Sequence, residues 1–451
     1  MRIVIAGDGE ISFRLAEQLM ADHTVGLICS AETNNRVERL EVEATFGAIT
    51  STTVLRGAHV SEADLFIACS AHDEQNLVSC VIAKRLGADK TVCFLFRSEF
   101  HYAAGTSESL AESLGINLVV RPAEQLAKEI LRIVAVPGAL DVETFVGGKV
   151  KLFRHVVEEG SPVANGPLKD VDLPAGVVLV MARRGDDIFI PKGNTELQPG
   201  DKITAMGNPA GMNRLLFKYL KTGAQTRYVR RVCVVGCGEV GLAVALGLED
   251  AAWQVKVIES SRPRCEEISR VLNSLVLHGD GSDLHLLQEE HIAEDTVLIA
   301  VTMSDEKNLL VSLLAKQLGV GRIITRASSQ SNERLFERVG IDVVRSAGGA
   351  AIRSVVKGIV ESRTELLAEL EHGEAMVLEV TIPEDFPSAP LMKLKAPEFV
   401  IVGAILRGDE VIIPTGSDAV QSQDRLLIFC TGDYEEEARD FFLRRAVGEG
   451  R

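Results

Sequence analysis

Two patterns of apolar and polar positions alternate along this 451-residue chain, and each occurs twice. In the first, short apolar runs rich in β-branched residues alternate with stretches whose apolar residues recur at helical spacing. Residues 1–6, followed by Leu15, Ala16 and Leu19, open one such segment; residues 231–235, followed by the apolar stretch 242–248, open the other. About six runs per segment, with helices between them, predict a doubly wound parallel α/β sheet in each. Longer helices close the two segments, expected over residues 122–134 and 349–370. A helix leaving its sheet in this way is placed to cross to a neighbouring subunit. In the second pattern short strands follow one another with glycine and proline turns and few helices, which predicts small β-rich modules.

Internal repeats set the order of these pieces. Gly236 and Gly238 stand 229 positions after Gly7 and Gly9. Asp73-Glu74-Gln75-Asn76-Leu77 returns as Asp305-Glu306-Lys307-Asn308-Leu309, and residues 83–87 return as 315–319. In the β-rich parts, residues 188–193 and Asp201 return 223 positions later as residues 411–416 and Asp424. The chain is therefore one two-part unit written twice. The expected domains are an α/β sheet over 1–137, a β module over 138–221, a second sheet over 230–370 and a second module over 371–451, with residues 222–226 as linker.

The strongest chemical signal lies in the second sheet. Gly236-Cys237-Gly238-Glu239-Val240-Gly241 follows a strand and opens a helix, the context in which G-x-G-x-x-G binds a dinucleotide and which makes both sheets Rossmann-like. The first glycine permits the tight turn, the second lets a pyrophosphate approach the backbone, and the third lets helix pack on strand. Phosphates then meet the unpaired N–H groups and positive dipole end of the helix. Glu259 ends the next strand, 18 residues past Gly241. An acid there accepts hydrogen bonds from an adenosine ribose and repels the 2′-phosphate of NADP. Gly279-Asp280, Thr302 and Arg326 end the third, fourth and fifth strands, at the carboxyl edge where α/β sheets bind ligands.

The first copy departs from this set. Ser12 stands at the third glycine and is followed by Phe13, and Cys29 stands at the ribose acid; Glu32, three residues on, is expected to start a helix. No Gly-Asp is seen after the third strand, where residues 48–53 run directly into Val54-Leu55. Arg97 lies ten residues past Gly87, whereas Arg326 lies seven past Gly319, so spacing does not align them. Gly7, Asp8, Gly9, Glu10, Ile11, Cys29, Ser70 and Arg97 remain candidates for docking a phosphate, of the same nucleotide or another, without a ribose grip.

Composition narrows the function. With 48 basic and 64 acidic residues the formal charge is −16, which argues against a role on nucleic acid or an anionic membrane surface. The 46% apolar content suffices for several cores, and no run is long enough to span a bilayer. The first residues run straight into a strand without a signal-peptide layout, which predicts folding in the cytoplasm. Eight cysteines without a C-x-x-C pair read as buried, reduced thiols, Cys237 being singled out by its place in the turn. The histidines and acids of His278-Gly279-Asp280-Gly281-Ser282-Asp283 match no standard metal spacing; they read as a nucleotide loop with Asp283 capping a helix. No metal site is expected, and scattered histidines such as His101 and His155 suggest no catalytic role. Glu239, matched by Glu10, suits a helix N-terminus. Glu435-Glu436-Glu437 reads as the acidic first turn of a last helix with Phe441-Phe442-Leu443 on its core face, and Arg183-Arg184 as solvated residues of a hairpin turn.

The order sheet, module, linker, sheet, module resembles the tandem RCK (KTN) family over nearly the whole chain. Its most specific parts are residues 236–241, 279–283 and 301–308 and the repeated Ile-Pro pattern of the modules. The resemblance implies a cytosolic nucleotide-sensing regulatory subunit, without catalysis, that gates potassium uptake through a membrane-embedded subunit of the Trk type. It implies a dimer built through the crossing helices and assembled into a tetrameric ring at the inner face of the cell membrane. It also implies NAD(H) in the clefts, with ATP or ADP as further candidates. The alternative is an NAD-dependent dehydrogenase using the second sheet. Hydride transfer needs a substrate domain that presents an acid or base, and the β modules show no such constellation.

Overall fold

The computed structural model describes residues 1–97, 113–220, 230–294, 297–360, 366–370, 374–431 and 434–444. The proposed linker 222–226 and His101 lie outside the described residues.

The first copy runs β1 (Arg2–Ala6), α1 (Glu10–Leu19), β2 (Thr24–Cys29), β3 (Glu43–Phe46), α2 (Thr52–Gly57), β4 (Leu65–Ala68), α3 (Asp73–Leu86), β5 (Lys90–Phe94), β6 (Leu118–Val120) and α4 (Pro122–Ala135). Its six strands lie in the order β3-β2-β1-β4-β5-β6, every pairing parallel. The order reverses between β1 and β4, the switch point where such sheets bind ligands. A module follows with β7 (Ala139–Phe145), β8 (Val150–Val156), β9 (Val177–Arg184), β10 (Asp187–Phe189), β11 (Lys202–Gly207) and α5 (Pro209–Arg214). Its strands form an antiparallel sheet ordered β10-β9-β11-β8-β7.

The second copy repeats the plan with β12 (Arg231–Val235), α6 (Glu239–Asp250), β13 (Gln254–Glu259), α7 (Arg262–Ile268), β14 (Leu275–His278), α8 (Leu284–Glu289), β15 (Val297–Ala300), α9 (Asp305–Leu318), β16 (Ile323–Ala327), α10 (Gln330–Arg338), β17 (Val343–Ser346) and α11 (Ala347–Val360). Its parallel sheet is ordered β14-β13-β12-β15-β16-β17. The last module holds β18 (Leu366–Leu370), β19 (Ala375–Thr381), β20 (Ala389–Pro390), β21 (Val400–Arg407), β22 (Glu410–Ile412), β23 (Ala419–Val420), β24 (Arg425–Thr431) and α12 (Glu435–Arg444). Its main sheet is ordered β18-β19-β24-β21-β22.

The closing helix of the second copy is shorter than the expected 349–370. It is described over Ala347–Val360, and Leu366–Leu370 is a strand whose ladder with β19 pairs Leu370 with Ala375 and Leu366 with Leu378. Leucine and alanine favour helix in isolation, but a waiting sheet edge outweighs propensities of tenths of a kcal/mol per residue.

The chain forms two compact units, one from residues 1–130 with 231–356 and one from 131–230 with 357–451. In the first unit the two parallel sheets are joined through their closing helices. Glu129 of α4 accepts hydrogen bonds from Nε and Nη2 of Arg353 of α11 at 2.9 and 2.6 Å, and Arg345 of β17 lies 3.9 Å away. The crossing helix expected to reach a neighbouring subunit thus reaches the other copy in its own chain. Under the second sheet, Ile258, Leu298, Val311, Ile323, Phe336 and Val344 form the core, each large side chain contributing about 2 kcal/mol by leaving water.

In the second unit the modules pack through a shared apolar layer, with Phe145, Leu152, Val180 and Met206 meeting Val377, Leu406, Leu427 and Phe429. The repeated aspartates are explained here. Arg184, at the end of β9, makes a two-pronged bond to buried Asp201, at 2.8 and 2.7 Å, and the Gln198 N–H donates to the same carboxylate. Arg407, Asp424 and the Gln421 N–H repeat this at 2.8 Å throughout. Arg184 is therefore a structural partner rather than a solvated turn residue; the turn itself is Gly185-Asp186. Arg183 pairs with Glu374. In α12, Phe442 is fully buried while Leu443 stays exposed.

Candidate functional site

The glycine turn of the second copy has the geometry its sequence requires. Gly236 has φ +88°, and a Cβ there would fall 2.9 Å from Thr302 backbone atoms. A Cβ at Gly241 would sit 2.0 Å from the Gly236 carbonyl oxygen, so a larger residue forces helix and turn apart. Above Gly238 there is open space, and a ligand can approach the backbone there. Gly238 caps α6, which begins at Glu239 as a first-turn acid.

Glu259 is tied into this turn. Its Oε2 accepts from the Cys237 N–H and its Oε1 from the Ser261 N–H, both at 2.8 Å. The Gly279 N–H donates to the Glu259 carbonyl at 3.0 Å, bringing the third-strand loop alongside. Asp280 accepts from the Ser282 N–H and hydroxyl and from Lys307 Nζ at 2.9 Å. Those bonds, Lys307 foremost, lower its carboxyl to about 2. Asp283 caps α8 by accepting from the His285 N–H at 2.9 Å, as expected.

Thr302 and Arg326 are placed by a residue that sequence reasoning did not single out. Asn308, fully buried at the start of α9, accepts from the Thr302 N–H and hydroxyl and donates to the carbonyls of Thr302 and Arg326. One amide thus fixes the carboxyl ends of two adjacent strands. The signal was present in the repeat, because Asn76 bonds Ser70 and the Phe94 carbonyl in the same way. The Arg326 guanidinium faces the cleft beside Met303 Sδ at 2.9 Å, and burial holds it below the usual arginine range.

Gly236, Gly238, Glu239, Val240, Glu259, Gly279, Asp280, Thr302 and Arg326 line one cleft of 720 Å³, within the ordinary range for ligand pockets, while Cys237 and Gly241 lie behind its lining. Lys307, Arg264, Met303 and Ser328 join the expected set. So do Glu10, Ile11, Arg14, Phe96, Pro122 and Ala123 of the first copy. Cys237 is fully buried, and desolvation pushes its thiol up to about 12. All eight cysteines are free and buried, as expected. Among the described residues no cluster of three or more ligating side chains could hold a metal, and no helix is long and apolar enough to cross a membrane.

The first copy's turn is built differently. Gly7 has φ +156°, and Ser12, at the position of Gly241, donates its hydroxyl to the Gly9 carbonyl at 2.7 Å. Strand register puts Cys29 in the place of Glu259, and burial raises its thiol. The third-strand glycine is present after all. Gly47 donates to the Cys29 carbonyl at 3.0 Å as Gly279 does to Glu259, so only the aspartate is replaced, by Ala48. Sequence reading missed it because Phe46-Gly47-Ala48 lacks the acid that marks the pair. Register also settles Arg97. Phe94 occupies the position of Arg326, and Arg97 pairs with Asp73 and Glu74 of α3. Glu10 and Ile11, at the start of α1 beside their own copy's turn, also line the second copy's cleft.

The sequence pattern of the TrkA-N domain matches residues 3–122 and 232–347, and that of the TrkA-C domain matches 152–219 and 377–443. The chain belongs to the TrkA family. A Trk system potassium uptake protein TrkA homolog of Archaeoglobus fulgidus is 36% identical, covering 98% of this chain and all of the relative. A homolog of Methanosarcina mazei is 32% identical with the same coverage, and TrkA of Azorhizobium caulinodans is 28% identical over 98% of both chains. Among solved structures the GsuK channel superposes with a TM-score of 0.60 at 19% identity, over 97% of this chain and 78% of that one. The GsuK channel bound to NAD gives 0.59 at 18%, over 98% and 78%. At that identity the likeness speaks for the fold. The tandem arrangement of TrkA-N and TrkA-C domains accounts for both repeats.

Proposed function

We propose that this chain is a regulatory subunit of potassium uptake that senses a nucleotide in the cleft of its second copy and catalyses no reaction. The observation that carries the proposal is the open glycine turn at Gly238, hydrogen-bonded through Cys237 to Glu259. Backbone N–H groups there suit a pyrophosphate, and Glu259 suits an unphosphorylated adenosine ribose. NAD(H) is the expected ligand and ATP or ADP the competitors; the GsuK channel, of the same fold, has been solved bound to NAD. The relatives are named for Trk potassium uptake, which supports a membrane-embedded Trk-type transporter as partner. On this reading the chain is cytoplasmic and sits peripherally at the inner face of the membrane. Because the two copies already pair within one chain, the homo-oligomer is a ring assembled from such chains.

Regulation requires the nucleotide to bind one ring conformation more tightly than another. A differential of about 1–3 kcal/mol would change transporter opening about 5- to 150-fold. The dehydrogenase reading finds little support in the cleft. No histidine lines it among the described residues, and its lysine, Lys307, is held by Asp280.

The test is a calorimetric titration of NAD, NADH, ATP and ADP against the full chain and against Gly238→Trp. The companion test is potassium flux in vesicles carrying the transporter. Nucleotide binding lost in the variant, with flux that follows nucleotide, is the expected result. Turnover of NADH with a small carbonyl substrate, or flux indifferent to nucleotide, would overturn it.

A further inference from the structure

Both copies line the cleft. At one end lie Glu259 and Arg264 of the second copy, polar and bonded to the turn. The first copy adds four apolar residues, Ile11 of α1, Phe96 after β5, and Pro122 and Ala123 at the start of α4, beside the charged Glu10 and Arg14 of α1. The position of α1 is given by a contact. A Cβ on Gly348, at the start of α11, would lie 3.3 Å from the Ile11 side chain, so α1 abuts the β17 side of the second sheet, across the switch point from Glu259. Phe96 is held by its N–H, which donates to Asp73 Oδ1 at 2.9 Å, and its ring is half-buried.

A doubly wound sheet takes one nucleoside over each of its halves, with the pyrophosphate crossing at the switch point. With adenosine at Glu259 and phosphates at Gly238, a mononucleotide diphosphate ends at the turn. Only a dinucleotide continues over β15 and β16 toward the first copy's apolar residues. We infer that the first copy supplies the subsite for the second nucleoside, so that Phe96, Pro122, Ala123 and Ile11 select a nicotinamide dinucleotide over a mononucleotide in the second copy's cleft. This rests on the nucleotide reading above. It gives the copy that lost its own ribose acid a role in its partner's specificity. Arg14 and Arg326 also line the cleft, and they are the groups through which a triphosphate would compete.

The experiment compares NAD, ADP and ATP by calorimetry on the full chain and on two variants. Phe96→Ser removes the ring while keeping its backbone bond, and Ala123→Trp fills the subsite. In each variant NAD is expected to weaken about tenfold while ADP stays within about twofold, the scale on which loss of an aromatic anchor is read. Equal losses for NAD and ADP, or unchanged NAD affinity in both variants, would overturn the subsite and leave the nucleotide site standing. ATP binding that exceeds NAD and falls in Arg14→Ala would assign the far end to phosphate instead. Failure of wild type to bind any of the three would remove the nucleotide reading and this inference together. Thermal melting of both variants checks that they remain folded.

Discussion

The Cys237 N–H donates to Glu259 Oε2 at 2.8 Å, so the glycine turn and the acid that ends β13 form one hydrogen-bonded piece. Moving either moves the other. Glu259→Ala removes the acceptor for the Cys237 and Ser261 N–H groups as well as the proposed ribose contact. NAD(H) affinity should fall by about tenfold or more, each decade being ~1.4 kcal/mol. Unchanged affinity in a calorimetric titration would refute the assignment.

The third glycine is a packing requirement at one copy only. Gly241→Ala puts a methyl 2.0 Å from the Gly236 oxygen. The turn must shift, with loss of nucleotide binding and a cost of about 1–3 kcal/mol in stability. Ser12→Gly at the matching position of the first copy removes only the bond to Gly9; its effect should be about 1 kcal/mol or less. Thermal unfolding of the pair of variants measures the contrast.

Glu129 joins the halves of the first unit and is nearly inaccessible to water. Glu129→Ala leaves Arg345 and Arg353 without this carboxylate, and breaking a buried pair from one side costs about 3–5 kcal/mol. A lowered melting temperature and faster proteolysis of the first unit are expected; Glu129→Gln should recover part of the loss. Two variants as stable as wild type would contradict the role.

Acid should unlock the module ahead of the core. Burial alone would raise the Asp201 carboxyl, but Arg184 and the Gln198 N–H outweigh it and bring it below the usual range. A carboxyl depressed on folding adds stability above its unfolded pKa, about 3.9, and that contribution is lost as pH falls through the lower folded value. Asp201→Asn should therefore destabilise at neutral pH and flatten the acid limb of the stability curve, readable by denaturant melts across pH 2 to 6.

Asp280 offers a second titration. Its carboxyl, held at about 2 by Lys307 and Ser282, should move up toward the ordinary aspartate range in Lys307→Met, followed by NMR of the labelled side chain. An unmoved value would mean that Lys307 is not its main partner.

Much of this was legible in the chain because the signals were local. The glycine turn, the acid ending β13 and the strand–helix alternation each declare themselves within a few residues. What escaped depended on register or on distant partners. Gly47 was hidden because its neighbouring acid is gone, and spacing could say only that Arg97 does not align with Arg326, whereas strand pairing places Phe94 at that position. Arg184 looked solvated because its partner, Asp201, lies 17 residues away across a strand. Leu366–Leu370 became a strand because β19 offered an edge. The first copy's share of the cleft had no sequence signature, since it arises only when the halves are docked.

The Glu129–Arg353 contact joins parts of one polypeptide 224 residues apart in sequence. Association of the two sheets is thus intramolecular, governed by an effective concentration rather than by the amount of protein in the cell. Two consequences follow. Dilution cannot separate the copy that carries the glycine turn from the copy that walls its cleft. And because one gene encodes both faces, each could accumulate substitutions the other does not share, a division of labour closed to a pair of identical subunits.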